Sequence, residues 1–154
     1  MSAKSQLIDA RGPQFGAALT TIVLALVLLT APSVLGLALL AGQALFFLIG
    51  ATLGVQRTPW GQLFKRAVRP RLSPTTKWED ARPPRFAQGV GLAFATVALV
   101  GYLSGAESVG AIAVGFALAA ALLNAAFGFC LGCELYLRLQ RLAPARRVRV
   151  PVNV

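Results

Sequence analysis

The sequence predicts an all-α integral membrane protein. Four transmembrane helices form two hairpins, both termini are cytoplasmic, and short amphipathic helices lie on the surface. Three observations carry this. First, Gly12 to Gln56 contains no charged residue, and Phe86 to Glu134 holds only Glu107 inside it. Uncharged apolar stretches of about 18 residues or more are read as bilayer spans. Second, 56% of the 154 residues are hydrophobic and only 13% are charged, with a mean hydropathy of +0.69. That leaves too little polar surface to enclose a soluble core. Third, every Lys and Arg falls in one of three segments. Lys4 and Arg11 precede the first apolar block. Arg57, Lys65, Arg66, Arg69, Arg71, Lys77, Arg82 and Arg85 lie between the blocks, and Arg138, Arg141, Arg146, Arg147 and Arg149 follow the second. This is the pattern of the positive-inside rule.

The elements follow in order within a single membrane domain, 1–154. Each block is about twice the ~20 residues that one crossing needs. The first breaks at Ala31-Pro32-Ser33, giving spans at about 14–31 and 34–55. The second breaks at Ser104 to Ser108, giving spans at about 86–104 and 108–130. Both hairpin turns lack Lys and Arg, so they belong on the far side of the membrane. A basic cytoplasmic loop, 56–85, joins the hairpins, and a surface helix and tail, 133–154, end the chain. The apolar stretch is too long for a signal-peptide core, so no cleavable leader is expected. The two halves share the hairpin plan without a convincing sequence repeat.

Small residues at four-residue spacing allow close helix packing in lipid. They occur as Gly50-x-x-x-Gly54, as Gly101-x-x-x-Gly105 and as Ala117, Ala121 and Ala125. The polar residues at depth, Gln43 and Asn124, are expected to hydrogen-bond neighbouring helices. In the loop, Thr58-Pro59 supplies an N-cap and a proline at the first helical position. Trp60, Phe64 and Val68 then recur at helical spacing opposite Lys65, Arg66 and Arg69, which reads as a short helix with its apolar side on the membrane. The proline-rich stretch through Phe86 is expected to be extended. Trp60, Lys65, Arg66, Arg69, Arg71, Trp78, Arg82 and Arg85 are thus candidate contacts for anionic lipid headgroups or a soluble partner. The net charge of +10 is explained by that topology, and nucleic acid is not expected as a partner.

The two cysteines stand as Cys130-Leu131-Gly132-Cys133. Twenty-one helical residues from Val109 cover about 31 Å, which places the pair at the cytoplasmic boundary. That compartment keeps thiols reduced, so a permanent disulfide is not expected. Zinc needs four ligands, and the chain offers two cysteines and no histidine. The missing histidine also removes Ser-His and Cys-His catalysis. No metal and no cofactor is expected. Two cysteines placed at random in this length would fall three apart roughly once in eighty trials, which favours a dithiol over two packing residues. Within one helix the pair would need bending to bond, which Gly132 permits. Gly128 and Gly132 also mark a break, after which a new surface helix would turn Leu135, Leu139 and Leu142 to lipid and Arg138 and Arg141 to water. Its N-terminal dipole would favour a thiolate at Cys130, and Glu134 would oppose it.

Three stretches, IDARGPQFGAALT, RPRLSPTTKWEDARPPRFAQGVG and GFCLGCELY, resemble in that order a bacterial family of small integral membrane proteins, domain-of-unknown-function family 4395. The resemblance spans roughly Leu7 to Leu142. It implies a four-span protein of the bacterial inner membrane with its C-x-x-C retained, encoded beside thioredoxin-like proteins and sulfurtransferases, and it brings no established activity. It points to Cys130 and Cys133 and to the stretch Trp78 to Phe86. The expected function is a thiol-redox or sulfur-relay component, in which Cys130 attacks a disulfide or accepts sulfane sulfur and Cys133 resolves the intermediate. A soluble thioredoxin-like or sulfurtransferase protein would be its partner. Whether the chain is an enzyme stays open at this point. So do a non-catalytic membrane anchor, a small sulfur-compound transporter and a homo-oligomer.

Overall fold

The computed structural model describes residues 6–143; Lys4 and the tail arginines Arg146, Arg147 and Arg149 lie outside them. The elements run β1 (Leu7–Asp9), α1 (Arg11–Thr30), α2 (Val34–Leu53), α3 (Pro59–Leu63), β2 (Trp78–Asp80), α4 (Arg82–Leu103), α5 (Glu107–Phe127) and α6 (Leu131–Leu142). Helices α1, α2, α4 and α5, of 20 to 22 residues, are long and apolar enough to cross a bilayer. The chain is an all-α membrane bundle. Its centre is closed by Leu24, Val27, Leu40, Ala98 and Val114. Its outer faces show large apolar residues such as Leu29, Leu48, Val100 and Ile112, which lipid can cover and water cannot.

The hairpins interlock. Helix α1 packs most extensively on α5, and α2 on α4. Gly101 meets the backbone of Gly110 and so brings two backbones together, whereas Gly50 makes room for the Gln88 side chain. Their partners in the four-residue spacing do neither. Gly54 and Gly105 stand outside the helices at φ 99° and 82°, a region that favours glycine, with nothing within 4 Å of where a Cβ would lie. They serve the turns. Gln43 donates through Nε2 to Thr20 Oγ1 at 3.3 Å, joining α2 to α1, whereas Asn124 lines a cavity described below.

Three residues of β1 pair antiparallel with three of β2, in the register Leu7↔Asp80, Ile8↔Glu79 and Asp9↔Trp78. Neither strand is long enough to show a two-residue period, and neither is expected from the sequence. The ladder fixes the entrances of both hairpins at one end of the bundle, where the loop and α6 also gather. The stretch expected to stay extended through Phe86 in fact becomes helical at Arg82. Pro83 and Pro84 fall in the first turn, where a missing N–H breaks no helical bond.

The structure also overturns the expectation of no internal repeat. Asp9-Ala10-Arg11-Gly12-Pro13-Gln14-Phe15 and Asp80-Ala81-Arg82-Pro83-Pro84-Arg85-Phe86 agree at Asp, Ala, Arg, Pro and Phe, and each joins a strand to a hairpin. In both, the aspartate accepts from the backbone N–H and the guanidinium of the arginine two residues on. Both carboxyls are held below the usual range, chiefly by that guanidinium hydrogen bond. Gln14 donates to Ala125 O at 3.1 Å, at the end of α5. Arg85 donates to Ala51 O at 2.7 Å and to Thr52 O, at the end of α2. Each hairpin entrance thus satisfies the orphan carbonyls of the opposite hairpin's second helix. The spans are so uniformly rich in Leu and Ala that they hide the relation, which is legible only at the polar entrances.

Candidate functional site

Helix α5 ends at Phe127, short of the expected boundary, because Gly128 takes the left-handed conformation at φ 66° and turns the chain. Its N–H donates to Asn124 O at 2.9 Å. Cys130 is extended and forms the N-cap of α6, and its Sγ accepts the N–H of Cys133 at 3.2 Å. A serine or threonine oxygen commonly holds this position. The two cysteines are joined as a disulfide, with their Cα atoms 5.2 Å apart. Two expectations change here. The thiols are paired rather than free, and no bent helix is needed. Cys130 lies outside α6 and reaches the first turn from its end.

Helix α6 is anchored on α4. Gly132 lies so close to Ala87 that an added Cβ would stand 2.6 Å from the Ala87 Cβ. The rings of Tyr136 and Phe86 pack at 5.5 Å. Leu135, Leu139 and Leu142 are left uncovered, as are Arg138 and Arg141.

The disulfide forms part of the wall of a cavity of about 530 Å³ that runs inward from the entrance of the second hairpin. Lys77 and Glu79 line it at the β2 end, Gln14, Gln88 and Asn124 supply amides, and Phe47, Phe94 and Phe116 supply rings. Glu79 is half-buried. Burial and, secondarily, the nearby Asp9 charge push its carboxyl above the ordinary range.

The first half builds the same cap from different atoms. Thr58 is the N-cap of α3, and its Oγ1 accepts the N–H of Gly61 at 3.1 Å. Six residues after each cap residue stands an aromatic, Phe64 or Tyr136, that packs on the phenylalanine of the repeated entrance; the Phe64–Phe15 rings are 5.7 Å apart. Thr58-x-x-Gly61 is therefore the counterpart of Cys130-x-x-Cys133. It too borders a cavity, of about 330 Å³, lined by Ile8, Gln43, Trp60 and Phe64 among others. Trp60 packs edge-on against Phe46 at 5.0 Å, and Phe64 is 5% exposed. These two turn into the bundle, which corrects the expectation that they lie on the membrane surface. Trp60 and Phe64, four residues apart, share one helical face, and that face meets Phe46 and Phe15 of the bundle while Lys65 and Arg66 stay outside. Trp60 Nε1 and Gln43 Oε1 are buried without a partner among the described residues.

The other candidate contacts divide. Lys65, Arg66, Arg69, Arg71 and Trp78 are exposed. Arg82 is engaged by Asp80 at 2.6 Å, and Arg85 by the end of α2, so both have structural work. Glu79 lies within the stretch Trp78 to Phe86 to which the resemblance points but is not singled out there, and Gln88 and the cavity itself escape the reading of motifs. The signal that finds Glu79 is the entrance repeat, which sets it opposite Ile8.

The model of the family described as Domain of unknown function (DUF4395) matches residues 8–141. The chain belongs to this family. The match covers both hairpin entrances, the loop and the Cys130–Cys133 cap, so the internal repeat lies inside the DUF4395 region. No curated protein and no solved structure matches the chain.

Proposed function

We propose that this DUF4395 protein is a thiol-redox component of the bacterial inner membrane, exchanging its Cys130–Cys133 disulfide with the dithiol of a soluble partner. The observation that carries the reading is the joint placement of the two sulfurs. They lie at the N-terminus of a twelve-residue helix, on the wall of a cavity, at the bundle end where the basic residues gather. A thiolate on Cys130 gains the N–H of Cys133 and the helix dipole. The confinement of Lys and Arg to three segments supports a cytoplasmic location for this end and both termini. There a thioredoxin-like or sulfurtransferase partner with a low-pKa thiol meets the exposed Lys65, Arg66, Arg69 and Arg71, which also bind anionic headgroups. In the exchange a partner thiolate attacks Cys130 Sγ, the Cys130–Cys133 bond breaks and Cys133 leaves. The partner's second thiolate then releases Cys130. The partner ends as a disulfide and the pair as two thiols, so electrons and protons balance.

Trapping tests it. Cys133→Ser should hold a mixed disulfide between Cys130 and a soluble protein, and Cys130→Ser should hold none. If neither variant traps a partner and both match wild type in the cell, the pair is packing in a membrane scaffold. Reporter fusions at residue 32, residue 75 and the C-terminus test the topology, reading outside, inside and inside.

A further inference from the structure

We infer that Glu79 is the proton-transfer group of the Cys130–Cys133 pair. This rests on the exchange reading above and extends it to a third residue. The observation is a position-by-position comparison of the two halves. Pro13 and Pro84, Phe15 and Phe86, and Phe64 and Tyr136 keep their chemical type. Elsewhere neutral residues give way to ionisable ones: Gln6 to Lys77 and Gln14 to Arg85 exchange one polar side chain for another, whereas three changes alter the chemistry. Ile8 becomes Glu79, Thr58 becomes Cys130 and Gly61 becomes Cys133. All three replacements line the same cavity, whereas Ile8, Thr58 and Gly61 line the other.

Nothing in the fold asks for a carboxyl at position 79. Its counterpart Ile8 is 2% exposed and fills the position with hydrocarbon. Asp9 and Asp80 are each committed to an arginine, but Glu79 has no ion-pair partner among the described residues. The charged groups beside it are Asp9, paired with Arg11, from the first entrance, Lys77 in the wall of the same cavity, and Asp80, paired with Arg82, next in the chain. Burial and, secondarily, the Asp9 charge favour the protonated carboxyl.

That proton has a use. When a partner thiolate opens the disulfide at Cys130, Cys133 leaves as a thiolate beside a low-dielectric wall. Glu79 gives it a proton across the cavity, directly or through a water. The carboxylate recovers a proton from the partner's second thiol, whose thiolate then displaces Cys130. Glu79 ends as it began. In the reverse direction the carboxylate removes the Cys133 proton.

The test is the reduction of the purified, oxidised full-length protein in detergent by reduced dithiothreitol, quenched by alkylation, for wild type, Glu79→Gln and Glu79→Asp across pH. Dividing each rate by that of Glu79→Gln at the same pH cancels the ionisation of the reagent. Glu79→Gln should be ~100-fold slower than wild type at low pH, the lower end for general acid catalysis. The ratio should fall towards one as Glu79 loses its proton, and Glu79→Asp should recover the pH dependence. The melting temperature of Glu79→Gln should not fall, which separates the effect from misfolding. A ratio near one at every pH, or an aspartate variant as flat as the glutamine one, overturns the role of Glu79 while leaving exchange intact. A wild-type disulfide that dithiothreitol opens only after denaturation overturns both.

Discussion

Thr58 and Cys130 do the same local work in the two halves: each side chain accepts the N–H three residues on and starts a helix. What differs is the surroundings. In the first half Gly61 leaves no room for a second cysteine, because an added Cβ would stand 2.3 Å from Val55 O. Trp60 occupies the next position, and Ile8 closes the entrance. In the second half Cys133 stands where Gly61 would be, Gly132 replaces the indole, and Glu79 replaces Ile8. The cavity grows from about 330 to about 530 Å³. The comparison teaches that a capped helix end is a structural device first. Chemistry needs space beside the cap and a reactive group on it, and only the second half sets a cysteine pair beside its cavity.

The largest expected effect tests whether the two caps are interchangeable. Gly61→Cys should cost at least ~2 kcal/mol, since the clash is with backbone, whereas Thr58→Cys should cost about 1 kcal/mol or less, sulfur being a serviceable acceptor there. Equal melting temperatures for the two variants in detergent would erase the distinction between the halves.

Next is the contact that seats the dithiol helix. Gly132→Ala should cost about 1–3 kcal/mol, because the new methyl meets Ala87 Cβ at 2.6 Å and must push α6 off α4. Alkylation of the reduced cysteines should accelerate in this variant. Unchanged melting and unchanged alkylation would mean that α6 is not held as described.

The paired carbonyl contacts give a smaller contrast. Arg85→Ala removes charge-assisted hydrogen bonds from the end of α2 and should cost about 1.5 kcal/mol. Gln14→Ala removes one neutral bond from the end of α5 and should cost about 1 kcal/mol or less. Reversal of that order in thermal melts would show that the two entrances are not equivalent.

The smallest effect is in pH. Asp9 and Asp80 are depressed below the ordinary value of 3.8. Their contribution is therefore complete above that pH and disappears as pH falls through their folded values. Asp9→Asn should remove more of this acid sensitivity than Asp80→Asn, because Asp9 is the more buried. Glu79, shifted the other way, stabilises the fold only while protonated, so Glu79→Gln should leave neutral-pH stability equal or slightly higher.

The sequence by itself determined the four spans, because apolar length is a local property and a bilayer reads it directly. It also determined the break before the dithiol, because Gly128 supplies a backbone conformation that ends a helix whatever surrounds it. The two cysteines could be singled out from their spacing alone. Only the tertiary structure decided what shares their cavity. Glu79 comes from a three-residue strand more than forty residues away, and its place in the wall of the same cavity depends on a ladder with Ile8 that no periodicity announces. The inward turn of Trp60 depends likewise on Phe46 of another helix. Burial, pairing and the cavity are properties of elements meeting, and a chain read one segment at a time holds the residues without the meeting.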